Sequence, residues 1–123
     1  MLKILSKLIN KGDIWIANLE PSRKGELGKK GRPIIVIQSN DANELLDTVT
    51  VIPVSSNILQ FDEIHILLKP AKQNGLAKES AAICSHIYTA SKDRLTKKIG
   101  TLNNKELKEV ISAVLLHLDV DIF

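Results

Sequence analysis

Arg32-Pro33-Ile34-Ile35-Val36-Ile37 is the stretch on which the fold turns. Its apolar run is continuous rather than alternating, which is the pattern of a strand buried on both faces, so the chain has to supply apolar layers above and below it. On the N-terminal side, Asp13 to Leu19 has the period-two pattern of a strand, and a loop with Pro21, Gly25, Gly28 and Gly31 follows it. On the C-terminal side, Asn40, Asp41 and Asn43 read as a turn, and Thr48 to Val54 is strongly β-forming, with Pro53 marking an edge or a bulge. Ile64, Ile66 and Leu68 alternate in a further strand, and Asn74-Gly75 is a turn signal. Ser80 to Ser85 and His86 to Thr89 are two short strands or one strand bent at its centre, and Ile99 to Leu102 reads as a last edge piece. Short strands with glycine-rich turns indicate a small barrel or sandwich.

Two helical patterns flank this β region. Leu107, Val110, Ile111, Val114, Leu115 and Leu118 form one apolar stripe, and Asn103 with Glu106 three positions on has the spacing of a capping box. Leu2, Ile4, Leu5, Leu8 and Ile9 set against Lys3, Lys7 and Lys11 predict a short N-terminal helix that Gly12 ends. The class is α+β, a small curved antiparallel sheet with helices attached. Residues 1–11 read as an N-terminal helical extension and 12–123 as one domain.

With 123 residues, 44% of them hydrophobic and 25% charged, the chain has room for a single domain with its own apolar core. No run approaches the ~18 apolar residues of a membrane span, and lysines interrupt the N-terminal apolar positions where a secretory signal needs continuity. The expected location is the cytoplasm. One cysteine and three scattered histidines give neither a disulfide nor a metal-ligand cluster, so no metal and no cofactor are expected. Five of the 17 basic side chains and two of the 14 acidic ones fall within residues 20–32, so that loop holds the whole net charge of +3. Such a loop favours phosphate or an acidic partner, although solubilising lysines would produce the same count.

Three places carry candidate chemistry. Pro33 disfavours helix at the preceding residue, which holds Arg32 extended at the mouth of the sheet as a rigidly mounted cation. Ser55-Ser56-Asn57 sets two hydroxyls and an amide at another strand end. His86 lies in a β segment, where a lone histidine is more often structural than catalytic. None of these is diagnostic by itself, and no nucleophile elbow, phosphate-binding glycine loop or paired carboxylates accompany them.

Taken together, blocks spread over almost the whole chain resemble the MazF/PemK toxins of bacterial toxin–antitoxin systems. They are Gly12-Asp13-Ile14-Trp15, Leu19-Glu20-Pro21, Gly25-Glu26 with Gly28, Arg32 to Ile37, and Val54-Ser55-Ser56. Gly75-Leu76, Ser80, Lys92 with Arg94-Leu95, Ile99-Gly100-Thr101-Leu102 and the final amphipathic stretch continue the match. The resemblance implies a small SH3-like antiparallel β-barrel with a C-terminal helix. It also implies a homodimer and an mRNA interferase, a metal-independent endoribonuclease cutting single-stranded RNA at short sequences, held in check by an acidic antitoxin protein.

The family's arginine before proline falls on Arg32 and its catalytic Thr or Ser on Ser55, with Ser56 beside it. Many members carry an acidic residue and a Gln where this chain has Ser85-His86, and His86 is the candidate replacement. Arg32 then stabilises phosphate charge, Ser55 positions phosphate or ribose, and His86 moves protons. Arg23, Lys24, Lys29 and Lys30 of the basic loop are expected to bind RNA backbone. The same shape is also similar to the gyrase-poisoning CcdB toxins, against which the Arg-Pro and Ser-Ser blocks argue. The missing acid at Ser85 keeps a catalytically inactive RNA- or protein-binding member as a third reading.

Overall fold

The computed structural model describes residues 7–19, 30–57 and 64–121. In chain order the elements are β1 (Asp13–Asn18), β2 (Lys30–Val36), α1 (Asn40–Leu45), β3 (Thr48–Ser55), β4 (His65–Leu68), β5 (Ser80–Ile83), β6 (Tyr88–Ser91), β7 (Leu95–Thr101) and α2 (Asn104–His117). The strands form one antiparallel sheet in the order β4-β5-β3-β2-β1-β7, with β6 also pairing to β3.

Ile34, Ile35 and Val36 of β2 are all at 0% exposure, as the continuous apolar pattern predicts. Because side chains alternate along a strand, β2 separates two cores. Ile35 joins Ile14, Ile52, Val54, Leu68 and the α2 residues Val110, Ala113 and Val114. Ile34 and Val36 join Trp15, Ala17, Val49, Val51 and Leu95, with Tyr88 packed against them.

Pro53 stands inside a central strand, which normally excludes proline because it donates no ladder hydrogen bond. Here β3 pairs with β6 as far as Val51 and with β5 from Val54 onward, so that flank is interrupted at Ile52 and Pro53. The bent-strand reading of residues 80–89 is the complement of this gap, since β5 and β6 flank the same strand on either side of a bend at 84–87. At the C-terminus the capping box forms as expected. Glu106 N donates to Asn103 Oδ1 at 2.7 Å, and Asn103 N to Glu106 Oε1 at 3.0 Å.

The structure departs from the sequence reading at several points. Residues 7–10 have no regular structure, and the rest of the expected N-terminal helix lies outside the described residues. Their polar groups bond across the fold instead: Lys7 Nζ donates to Lys92 O at 2.8 Å and Asn10 N to Asp13 Oδ2 at 2.9 Å, while Ile9 enters the second core and Leu8 is 80% exposed. Gly12, at φ +91°, is a bend rather than a helix cap. Its N–H donates to Val36 O at 2.8 Å and its carbonyl accepts from Leu102 N at 2.9 Å.

Residues 40–45 form α1 rather than a simple turn, with Ser39 Oγ accepting from Ala42 N at 3.2 Å. β7 begins at Leu95, four residues before the expected edge piece. Leu118 closes α2 as its C-cap at 54% exposure, so the buried stripe is shorter than the periodic one. β4 and β7 end the strand order without pairing to each other, so the described strands form an open sheet. Among the described residues no helix is long and apolar enough to cross a membrane.

Candidate active site

The open ends of β2 and β3 and the chain entering β5 line a cleft of about 360 Å³ that includes Arg32, Ser55, Ser56, Asn57, Lys78 and Ser80. Ile34 pairs with Pro53, and running that register two residues outward sets Arg32 across from Ser55. Arg32 also has the same parity along β2 as Ile34 and Val36, so it emerges on the face of the second core and is half-buried there. Its Nη1 donates to the Val54 carbonyl at 3.0 Å, which tethers the guanidinium at the mouth of the cleft. Its Nε is buried with no hydrogen-bond partner. Burial lowers the Arg32 pKa from its ordinary value, and electrostatic interaction with Tyr88 opposes that shift.

Ser55 Oγ accepts from Asn57 N at 3.1 Å. That contact uses a lone pair and leaves the hydroxyl proton to be donated into the cleft. Ser56 is exposed beside it. The far wall depends on Asn74, which is buried to 1% exposure. Its Oδ1 accepts from Ala71 N and Leu76 N, both at 3.0 Å, and its Nδ2 donates to Lys69 O at 2.8 Å. Gly75 follows at φ +70°, where a Cβ would meet Ile99 O at 2.1 Å, so the turn read from Asn74-Gly75 accepts no side chain there. Ser80 Oγ donates to Lys78 O at 2.9 Å, which shapes the chain just before β5.

His86 does not line this cleft. It sits in the bend between β5 and β6, half-buried, with its Nδ1 3.2 Å from Ser85 Oγ and its backbone N–H donating to Ile83 O at 3.1 Å. Arg23, Lys24 and Lys29 lie outside the described residues, and Lys30 is described only as the first residue of β2, paired with Asn18. The structure thus brings together Arg32, Ser55 and Ser56 in one cleft, and His86 is not among the residues lining it. Sequence reasoning missed Lys78, an unremarkable lysine after a turn, and Tyr88, whose nearness to Arg32 depends on strand pairing. Among the described residues no group of three or more His, Cys, Asp or Glu side chains converges.

Residues 10–118 match the family described as PemK-like, MazF-like toxin of type II toxin-antitoxin system. The chain is 31% identical over 118 residues to the endoribonuclease MazF9 of Mycobacterium tuberculosis, covering 92% of this chain and 98% of that protein. Its structure is similar to that of MazF from Deinococcus radiodurans, with a TM-score of 0.80 at 19% identity over 94% of this chain and 100% of that one. It is also similar to an endoribonuclease in complex with its cognate antitoxin from a mycobacterial species, with a TM-score of 0.71 at 14% identity over 95% of this chain and 99% of that one. At those identities the structural likeness speaks for the fold, and kinship rests on the sequence matches. On those matches the chain belongs to the PemK-like, MazF-like toxins of type II toxin–antitoxin systems.

Proposed function

We propose that the chain is a metal-independent endoribonuclease that cleaves single-stranded RNA at short sequences, and that an acidic antitoxin restrains it. The observation that carries this reading is the tethered Arg32 guanidinium facing the same cleft as Ser55. In such a cleavage the ribose 2′-oxygen attacks the adjacent phosphorus as its proton is removed. The bond from phosphorus to the 5′-oxygen breaks, and the departing oxygen takes up a proton. Arg32 supplies a permanent positive donor for the charge that builds on the phosphate, already oriented before substrate arrives. Ser55 donates its hydroxyl proton to phosphate or ribose, and Ser56 adds a second hydroxyl at the rim. His86, in the β5–β6 bend outside the cleft lining, is the residue assigned to proton transfer. Arg23, Lys24, Lys29 and Lys30 of the basic loop hold the RNA backbone.

The open sheet, with β3 shared between two flanking strands, is read as an SH3-like barrel. Residues 12–123 are the toxin domain, and 1–11 are an extension before it. The half-covered α2 stripe, with Leu107, Ile111 and Leu115 beside Lys11 along a groove of about 500 Å³, supports a homodimer. The cytoplasm is the assigned location, since RNA is the substrate.

Incubating the purified protein with a long RNA in the presence of a chelator tests the activity: discrete cleavage is expected, and intact RNA would overturn it. Ser55→Ala is expected to impair cleavage with folding preserved. The pH–rate profile is expected to have a limb in the histidine range that His86→Gln removes, and an unchanged profile in that variant takes His86 out of the mechanism.

A further inference from the structure

Among the described residues lining the cleft, the charged side chains are Arg32 and Lys78, and no carboxylate accompanies them. An anionic chain entering the cleft therefore meets two cations and no opposing charge from its lining. Register sets the two cations on different walls. Running the β2–β3 pairing outward places Arg32 across from Ser55, and Ser55 pairs on its other flank with Ala81, so β3 stands between β2 and β5. Those outer strands are two strand spacings apart, about 10 Å, and Lys78 lies on the β5 side, three residues before Ala81. Its backbone is held from both directions. Leu76 and Ser80 are buried, while Ala77, Lys78 and Glu79 between them are exposed. Leu76 N donates to the buried Asn74 Oδ1 at 3.0 Å, and the Ser80 hydroxyl donates back to the Lys78 carbonyl at 2.9 Å. Lys78 and Ser80 line the cleft and the intervening Glu79 does not, as alternation along an extended chain predicts.

The reading above puts the reacting phosphate at Arg32 and Ser55, where Arg32 Nη1 is tethered to the Val54 carbonyl. Resting on that reading, we infer that Lys78 binds the RNA phosphate next to the scissile one, so that the cleft grips two successive phosphates, one from each wall. The division follows from the chemistry of the two side chains. Arginine presents a planar fork that suits the charge building on one phosphate in the transition state, whereas lysine is a compact point charge on a flexible stem, which suits a phosphate that does not react. A contact to an unreacting phosphate is made equally in the ground state and the transition state. It lowers KM and sets the register of the strand while leaving kcat alone.

The test is Lys78→Gln, which removes the charge and keeps a polar side chain at an exposed position. KM for metal-free cleavage is expected to rise about three- to fivefold at low salt, with kcat and melting temperature parental, and Lys78→Arg is expected to restore KM. Binding is read with an RNA oligonucleotide that spans a cut site and carries a 2′-deoxy nucleotide there, so that it binds uncleaved. The slope of log Kd against log salt is expected to shrink by about 0.7 in Lys78→Gln. Replacing one of the two phosphates that flank the cut with a neutral methylphosphonate is expected to weaken binding to the parent protein and to make no difference to Lys78→Gln. Lys72→Gln, an equal loss of charge in the turn outside the cleft lining, is expected to keep the parental penalty. Methylphosphonate penalties that are the same in the parent and in Lys78→Gln overturn the inference. So does a fall in kcat at constant KM, which would put Lys78 on the reacting phosphate. A parent protein that leaves long RNA intact in chelator overturns the proposed function itself, whereas equal penalties beside an active parent remove only Lys78.

Discussion

The two faces of β2 are built from the same short run of sequence and end up doing different work. The Ile35 face lies under α2 with Ile14, Ile52, Leu68 and Val110, an apolar cluster with no buried polar side chain left unsatisfied within it. The Ile34 face is just as buried around Trp15, Val49 and Val51, but its outer end carries Arg32, and both orphaned polar atoms, Arg32 Nε and Tyr88 Oη, lie on this side. Buried polar groups are nearly always paired, so the two faces differ in kind as well as in position. The first closes an apolar cluster under α2, and the second ends in a half-buried cation.

The largest expected effect tests that division directly. Arg32→Ala should lower the rate of metal-free RNA cleavage by about 10²- to 10³-fold, with a much smaller loss of RNA affinity in a binding titration. It should leave the denaturant midpoint unchanged or raised, because it removes a desolvated, half-satisfied cation. A collapse of stability in this variant would break the comparison.

The converse is Ile35→Ala on the α2 side. Truncating a fully buried Ile should remove about 2–5 kcal/mol of unfolding free energy in a urea titration, with the cleavage rate per folded molecule preserved. A rate that fell in proportion to stability would mean that the faces are coupled.

Asn103→Ala sharpens the same side with a smaller change. Loss of the capping box at the start of α2 should cost about 1 kcal/mol, read as a lower melting temperature with kcat intact.

The smallest effect is in alkaline stability, to which each face contributes one group. Burial raises the Cys84 thiol on the α2 side from 9.0 to about 12, against a hydrogen bond involving the Ile66 backbone. It raises the Tyr88 hydroxyl on the other side from 10.0 to about 12, against the attraction of Arg32 and Arg94. In both cases the folded state keeps a proton that the unfolded chain gives up at lower pH. Their contributions are thus fully present below pH 9.0 and decline as pH rises toward about 12. Urea midpoints across that range should fall, and Tyr88→Phe should flatten the part of the decline above pH 10.0.

Local patterns were legible wherever one residue and its near neighbours settle the outcome. The unbroken apolar run at Ile34 to Val36 could only be a strand covered on both sides, and Asn103 and Glu106 are close enough along the chain to close their box without help. Asn74-Gly75 turned as written, because no side chain fits between Gly75 and the Ile99 carbonyl. The blocks around Arg32 and Ser55 fall in one cleft because each lies near the end of a strand that its own pattern marked. Where the pattern failed, a tertiary partner had overruled a local preference. Lys7 to Lys11 have helical spacing, yet Lys92, Asn40 and Asp13 take their polar groups and the second core takes Ile9, so the helix does not form there. No spacing rule places Tyr88 near Arg32, residues 56 positions apart that share a face only because β6 pairs with β3 and β3 with β2. Sequence alone decided which segments become strands and which candidate residues stand near their ends, since those depend on covalent neighbours. The assembly of the cleft, and which of its polar atoms stay unpaired, depended on strand register, which exists only once distant segments have met.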